Sequence, residues 1–96
     1  MGYIRDFVIE YEIDYGRKDN NGKIIPVKTS VGRLVKANNS DECLEKAVTI
    51  AEKLAGNYLP NPETKETRIK ILSFQDLDGP RTLVERLIIV KKPYYT

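Results

Sequence analysis

Between Tyr3 and Tyr15 the odd positions hold Tyr3, Phe7, Ile9, Tyr11, Ile13 and Tyr15, with Arg5 as the exception, while the even positions include Asp6, Glu10, Glu12 and Asp14. Alternation of period two over this length predicts a strand with one face in the core and one in solvent. The polar stretch 16–22 begins and ends in glycine and predicts a hairpin loop, followed by a second strand over 23–37. Folding the second strand back so that Ile13 meets Ile25 sets Tyr11 by Val27, Ile9 by Thr29 and Phe7 by Val31. The same register puts Glu10 across from Lys28, a pairing that contributes a few tenths of a kcal/mol to about 1 kcal/mol. Pro26 cannot donate to a ladder and is expected on an edge, and Gly32 is expected at a bulge.

The period then changes. Asn39 or Ser40 can cap a helix whose first turn carries Asp41 and Glu42. Leu44, Ala47, Val48, Ala51, Leu54 and Ala55 recur at helical spacing, opposite Glu45, Lys46, Thr49, Glu52 and Lys53, and Gly56 is expected to end the helix. Pro60 and Pro62 mark the loop beyond it. A second hairpin is expected from strands over 66–74 and 82–92 around a turn at 76–80. Its last strand carries Leu83, Leu87 and Ile89 on one face and Val84, Ile88 and Val90 on the other. A strand apolar on both faces reads as an interior one.

The element order predicts an α+β protein: one ββαββ domain over 1–96 with a short tail at 93–96, its four-stranded, mainly antiparallel sheet covered by one helix on one face. The expected core comprises Phe7, Ile9, Tyr11, Ile13, Val27, Val31, Leu44, Ala47, Val48, Ala51, Leu54, Ile69, Ile71, Leu87 and Ile89. Val48→Asp should therefore bury a charge and unfold the domain. Val8, Leu34, Val84, Ile88 and Val90 fall on the uncovered face, an apolar surface suited to self-association as a homodimer or to an unidentified protein partner.

Composition removes several chemistries. The chain has no histidine and one cysteine, so neither a Cys/His zinc site nor an intrachain disulfide is available, and a reducing, cytoplasmic setting is expected. Neither a membrane span nor a secretory leader is expected: apolar runs are short, and the start Met1-Gly2-Tyr3-Ile4-Arg5-Asp6 lacks the basic-then-apolar order of a signal. Cys43 is expected to be a small core residue. Asp76-Leu77-Asp78-Gly79 and Asp19-Asn20-Asn21-Gly22 resemble parts of a calcium loop, but Phe74 and Arg17 stand where its first ligand would be, and turn chemistry accounts for both. The carboxylates of the first strand have basic neighbours and read as a solvated face. No phosphate loop or nucleophile elbow is present, so neither an enzyme nor a bound cofactor is expected.

Sixteen basic against 14 acidic residues give a net charge of only +2, yet the basic residues cluster. Arg17, Lys18 and Lys23 fall at the first hairpin's tip, Lys28, Arg33 and Lys36 on its second strand, and Lys91 and Lys92 beside Tyr94 and Tyr95. Cations near aromatic rings suit phosphate contact and base stacking. The sequence therefore predicts a small, non-enzymatic interaction protein that binds another protein through an open sheet face or edge strand. Accessory and inhibitory proteins of viruses and plasmids are of this kind. Nucleic-acid binding through the basic tip and the C-terminal tail is the alternative.

Overall fold

The structure, a computed structural model, describes residues 4–90. Strand β1 (Arg5–Lys18) and strand β2 (Ile24–Ala37) form a long hairpin, helix α1 (Ser40–Ala55) follows, and strands β3 (Thr67–Asp76) and β4 (Arg81–Val90) form a shorter one. All pairings are antiparallel and the sheet order is β2-β1-β3-β4. β2 and β3 flank β1, so the chain crosses over β1 between them, and α1 lies on that side of the sheet. The ββαββ, α+β architecture read from the sequence is the observed one.

The alternation in β1 has the expected result. Phe7, Ile9, Tyr11 and Ile13 are buried, and they meet Ile69, Ile71 and Phe74 of β3 and Cys43, Ala47, Ala51, Leu54 and Ala55 of α1. The helix face against the sheet is thus mostly small residues, which leaves room for large rings on the strands. The Tyr11 hydroxyl donates to the Ala47 carbonyl at 2.7 Å, a buried bond that ties strand to helix. Burial holds that hydroxyl well above the usual phenol range. Val31, Leu44 and Val48 pack on the core but stay half-exposed. Val48 is therefore not the deeply buried helix position that its spacing suggested.

Asn39 is the N-cap: its side chain accepts from the Glu42 N–H at 2.9 Å, and Glu42 accepts in return from the Asn38 N–H and side-chain amide. Those bonds, together with the Lys46 ammonium at 3.2 Å, hold the Glu42 carboxyl below its ordinary value. The helix ends at Gly56 as expected, with right-handed backbone there.

Three local expectations differ from the structure. First, β2 is displaced by four positions from the expected pairing: Ile13 meets Thr29, Tyr11 meets Val31, and Glu10 lies across from Gly32, while Lys28 lies across from Asp14. An even shift keeps every side chain on its face, which is why the core of β1 survives the error. Second, no irregularity occurs at Gly32. Third, Gly16 lies within β1 rather than in the loop, which is only Asp19 to Lys23. There the Asp19 carboxylate accepts from the Asn21 and Lys23 N–H groups at 2.8 and 2.9 Å, and Gly22 takes φ +80°. Pro26 does lie on an edge strand.

β4, expected inside the sheet, is its other edge. Val84 and Glu85 together oppose Leu72 of β3, a bulge flanked by the pairs Ser73–Leu83 and Ile71–Arg86. Glu85 takes φ +55°, a left-handed conformation unfavourable to residues with a Cβ. Glu85→Gly should therefore raise stability by roughly 0.5–1 kcal/mol. Chemical denaturation checks this as a higher midpoint at unchanged slope.

Candidate functional site

Residues opposed in an antiparallel ladder share a face of the sheet, so the pairings give the uncovered face row by row. One row reads Leu34, Val8, Gln75, Arg81, the next Gly32, Glu10, Ser73, Leu83. The third reads Ser30, Glu12, Lys70, Leu87, and the fourth Lys28, Asp14, Arg68, Ile89. Down the middle, acidic β1 stands beside β3, whose Arg68 and Lys70 are basic. The Arg81 guanidinium reaches across to Glu10 at 2.8 Å.

Along β4 the same face is aliphatic. Leu83, Leu87 and Ile89 are 71%, 51% and 48% exposed. At the other side of the sheet Val8 and Leu34 lie opposite each other and are 37% and 64% exposed. Val8 and Leu34 are thus on the uncovered face as expected, whereas Val84, Ile88 and Val90 are not: they turn to the helix side and pack against the core. Leu87 and Ile89, expected in the core, take their place outside.

Extra residues in β3 and β4 together set the faces: Leu72 is extra against β1, where Glu10 meets Ser73 and Tyr11 meets Ile71, so that Ser73 lies on the uncovered face and Ile71 on the helix side. A hairpin kept in the register of its turn, with Gln75 opposite Arg81, would set Ile69 across from Leu87 and bring Leu87 inside. The extra residue at Val84–Glu85 shifts the pairing by one, so Ile69 meets Ile88 and Thr67 meets Val90. Both faces of β4 are apolar, and alternation alone does not say which is inside. The extra residue in β4 matches the break in β3, so β4 alternates unbroken from Arg81 and Leu83 to Leu87 and Ile89, and the turn pairing of Gln75 with Arg81 decides which face is outside.

The basic residues separate into two groups. Arg17, Lys18, Lys23 and Lys28 are exposed and make no ion pair within 4 Å among the described residues. Lys36 stands at the opposite end of the sheet, 3.5 Å from Asp6, and Arg33 lies on the helix side opposite Ile9, donating to the Gly32 carbonyl at 3.0 Å. The structure thus gathers Arg17, Lys18 and Lys23 at the hairpin tip, places Lys28 across from Asp14 in the body of the sheet, and sends Arg33 and Lys36 elsewhere. Lys91, Lys92, Tyr94 and Tyr95 lie outside the described residues. β4 runs out at Val90, opposite Thr67, on the end of the sheet from which the long hairpin projects.

Cys43, Asp14 and Asp76 are engaged in structure. Cys43 is fully buried in the first turns of α1, and burial pushes its thiol up despite nearby Lys46. Asp14 accepts from the Asn61 amide at 2.7 Å. In the β3–β4 turn, Asp76 accepts from the Asp78 N–H at 3.1 Å and pairs with Arg5 at 3.4 Å. An open cleft of about 880 Å³ beside this turn is lined by Arg5, Asp6, Asp76 and Asp78 with Leu77 and Phe74. Among the described residues, no three Cys, Asp or Glu side chains converge as a metal-binding group, and no helix is long and apolar enough to cross a membrane.

No family model, curated protein or solved structure matches the chain.

Proposed function

We propose that this protein is a non-enzymatic protein-binding factor, of the accessory or inhibitory kind found among small viral and plasmid proteins, and that its binding surface is the uncovered face and free edge of β4. One observation carries the reading: Leu83, Leu87 and Ile89 stand in line on an uncovered face, each about half exposed or more. Fully burying one such side chain contributes roughly 1.5–3 kcal/mol. Three of them, already half-covered, offer a gross gain of several kcal/mol, part of which association entropy removes. The opposite edge is less suited, since β2 presents Pro26, Lys28, Arg33 and Lys36.

A second copy of the chain is the occupant that symmetry favours. The bulge at Val84–Glu85 confines the regular edge of β4 to residues 86–90. An antiparallel pairing of two such edges about Ile88 sets Leu87 against Ile89 of the second copy on the uncovered face and Arg86 against its Val90 on the other. Aliphatic side chains then meet across the two-fold, and two four-stranded sheets become one.

Light scattering at micromolar concentration tests this. The expected mass is about twice 11.0 kDa, falling to the monomer value for Leu87→Asp with an unchanged circular dichroism spectrum and a melting temperature that no longer depends on concentration. A wild-type mass of 11.0 kDa throughout would refute self-association.

A further inference from the structure

We infer that the distal β1–β2 hairpin is an arm that binds the backbone of duplex DNA by entering its major groove. The inference is independent of the protein-binding surface on β4. β1 pairs with β3 only as far as Asp14–Arg68, whereas its pairing with β2 continues through Tyr15–Val27, Gly16–Pro26 and Arg17–Ile25 to Lys18–Ile24. The last four rows thus lie beyond β3; β1 is flanked at Gly16 by Leu59, the hairpin is a two-stranded ribbon from Arg17–Ile25 outward, and the described residues extend 52 Å along their long axis against 24 and 19 Å across. At about 3.4 Å per residue the ribbon reaches roughly 14 Å past β3. The major groove of B-form DNA, about 12 Å wide, admits a two-stranded ribbon, whereas the deep, narrow groove of duplex RNA does not.

The charge of the molecule is concentrated on this arm. From residue 15 to residue 27 there are three cations, Arg17, Lys18 and Lys23, and one carboxylate, Asp19. That is a net +2, equal to the total of the whole chain, so everything outside the arm sums to zero. Elsewhere cations are commonly matched, as in Arg5–Asp76, Lys36–Asp6 and Arg81–Glu10. On the arm none of the three has a carboxylate within 4 Å among the described residues. Arg17 and Lys18, as successive strand residues, leave opposite faces of the ribbon, an arrangement suited to phosphates on both walls of a groove.

The arm is also held in position before any partner arrives. The Gly16 N–H donates to the Leu59 carbonyl at 2.8 Å, and the Tyr15 ring meets Tyr58 edge-on with centroids 4.6 Å apart. That contact engages the arm's one aromatic ring with a neighbouring ring instead of leaving it as a stacking platform for bases. Phosphate contact to a duplex, rather than stacking on a single strand, is the mode these residues serve.

The test is fluorescence anisotropy of a labelled DNA duplex of about two helical turns, titrated with the full chain across a series of salt concentrations. Three phosphate contacts predict a log–log salt slope near −3 and an affinity loss of roughly 40-fold between 50 and 200 mM salt. The triple variant Arg17→Gln/Lys18→Gln/Lys23→Gln, all at exposed positions, should keep its circular dichroism and melting curve. It should flatten the slope to near zero and weaken binding at the lowest salt by at least about tenfold. No anisotropy change at low salt, an unaltered slope in the triple variant, or single-stranded DNA or RNA bound as tightly as the duplex would each overturn the arm.

Discussion

Ala51→Asp is expected to abolish the folded state, whereas Val48→Asp should leave a protein that still melts cooperatively. Both residues lie on the apolar side of the α1 pattern, and hydrophobicity alone ranks valine first. Ala51 is fully buried against the sheet, while Val48 keeps part of its surface in solvent at the edge of the contact. A carboxylate at Ala51 has no cation in reach among core neighbours such as Ile69, Ile71 and Tyr11. Burying it costs several kcal/mol, comparable with a total stability of roughly 5–15 kcal/mol. At Val48 the longer side chain can turn to water, at a cost nearer 1 kcal/mol typical of a single substitution. Circular dichroism and thermal melting of the two variants read the rotation of α1 directly. Loss of fold at Val48 with tolerance at Ala51 would mean that the helix turns another face to the sheet.

Gly16→Ala is expected to destabilise the protein by roughly 1–3 kcal/mol or more. A Cβ at this position would lie inside van der Waals contact of the Pro60 carbonyl oxygen and 2.8 Å from Ile24 Cγ2. The oxygen is backbone, held where the Gly16 N–H meets the Leu59 carbonyl, and so has little room to retreat. The clash would push the 57–62 segment off β1 and separate Tyr58 from Tyr15. Denaturant midpoints measure the loss. Gly22→Ala is a useful companion, because its φ of +80° strains any side chain although open space surrounds the position.

Much of this fold is legible in the sequence because most elements have one apolar face and one charged face. β1 could face only one way with Asp6, Glu10, Glu12 and Asp14 on its even positions. The helix boundaries followed from Asn39, Ser40 and Gly56. The pairing of β2 did not, because several even shifts satisfy its pattern equally well. What decides among them is the turn, where the Asp19 carboxylate gathers two backbone N–H groups and closes a shorter loop than the glycines suggested. Gly16 was misread for a tertiary reason: the segment that packs on it lies more than forty residues away in the chain.

The candidate surfaces divide in the same way. Val8 and Leu34 were legible as outward-facing because their strands alternate cleanly. Val84, Ile88 and Val90 were assigned to the wrong side because β4 is aliphatic on both, and its register is set by extra residues in β3 and β4 that the pattern does not reveal. The basic tip was visible as composition. Its isolation from every carboxylate partner, and its projection past β3, are consequences of the pairing lengths and could be read only from the folded chain.

Backbone amide exchange measured at low and high protein concentration tests the β4 surface most directly. Self-association through this edge predicts that amides within residues 86–90 become more protected as concentration rises, while those of β2 at the opposite edge do not change, and that Leu87→Asp removes the effect. Exchange in β4 that is independent of concentration, or protection that develops along β2 instead, would contradict the assignment.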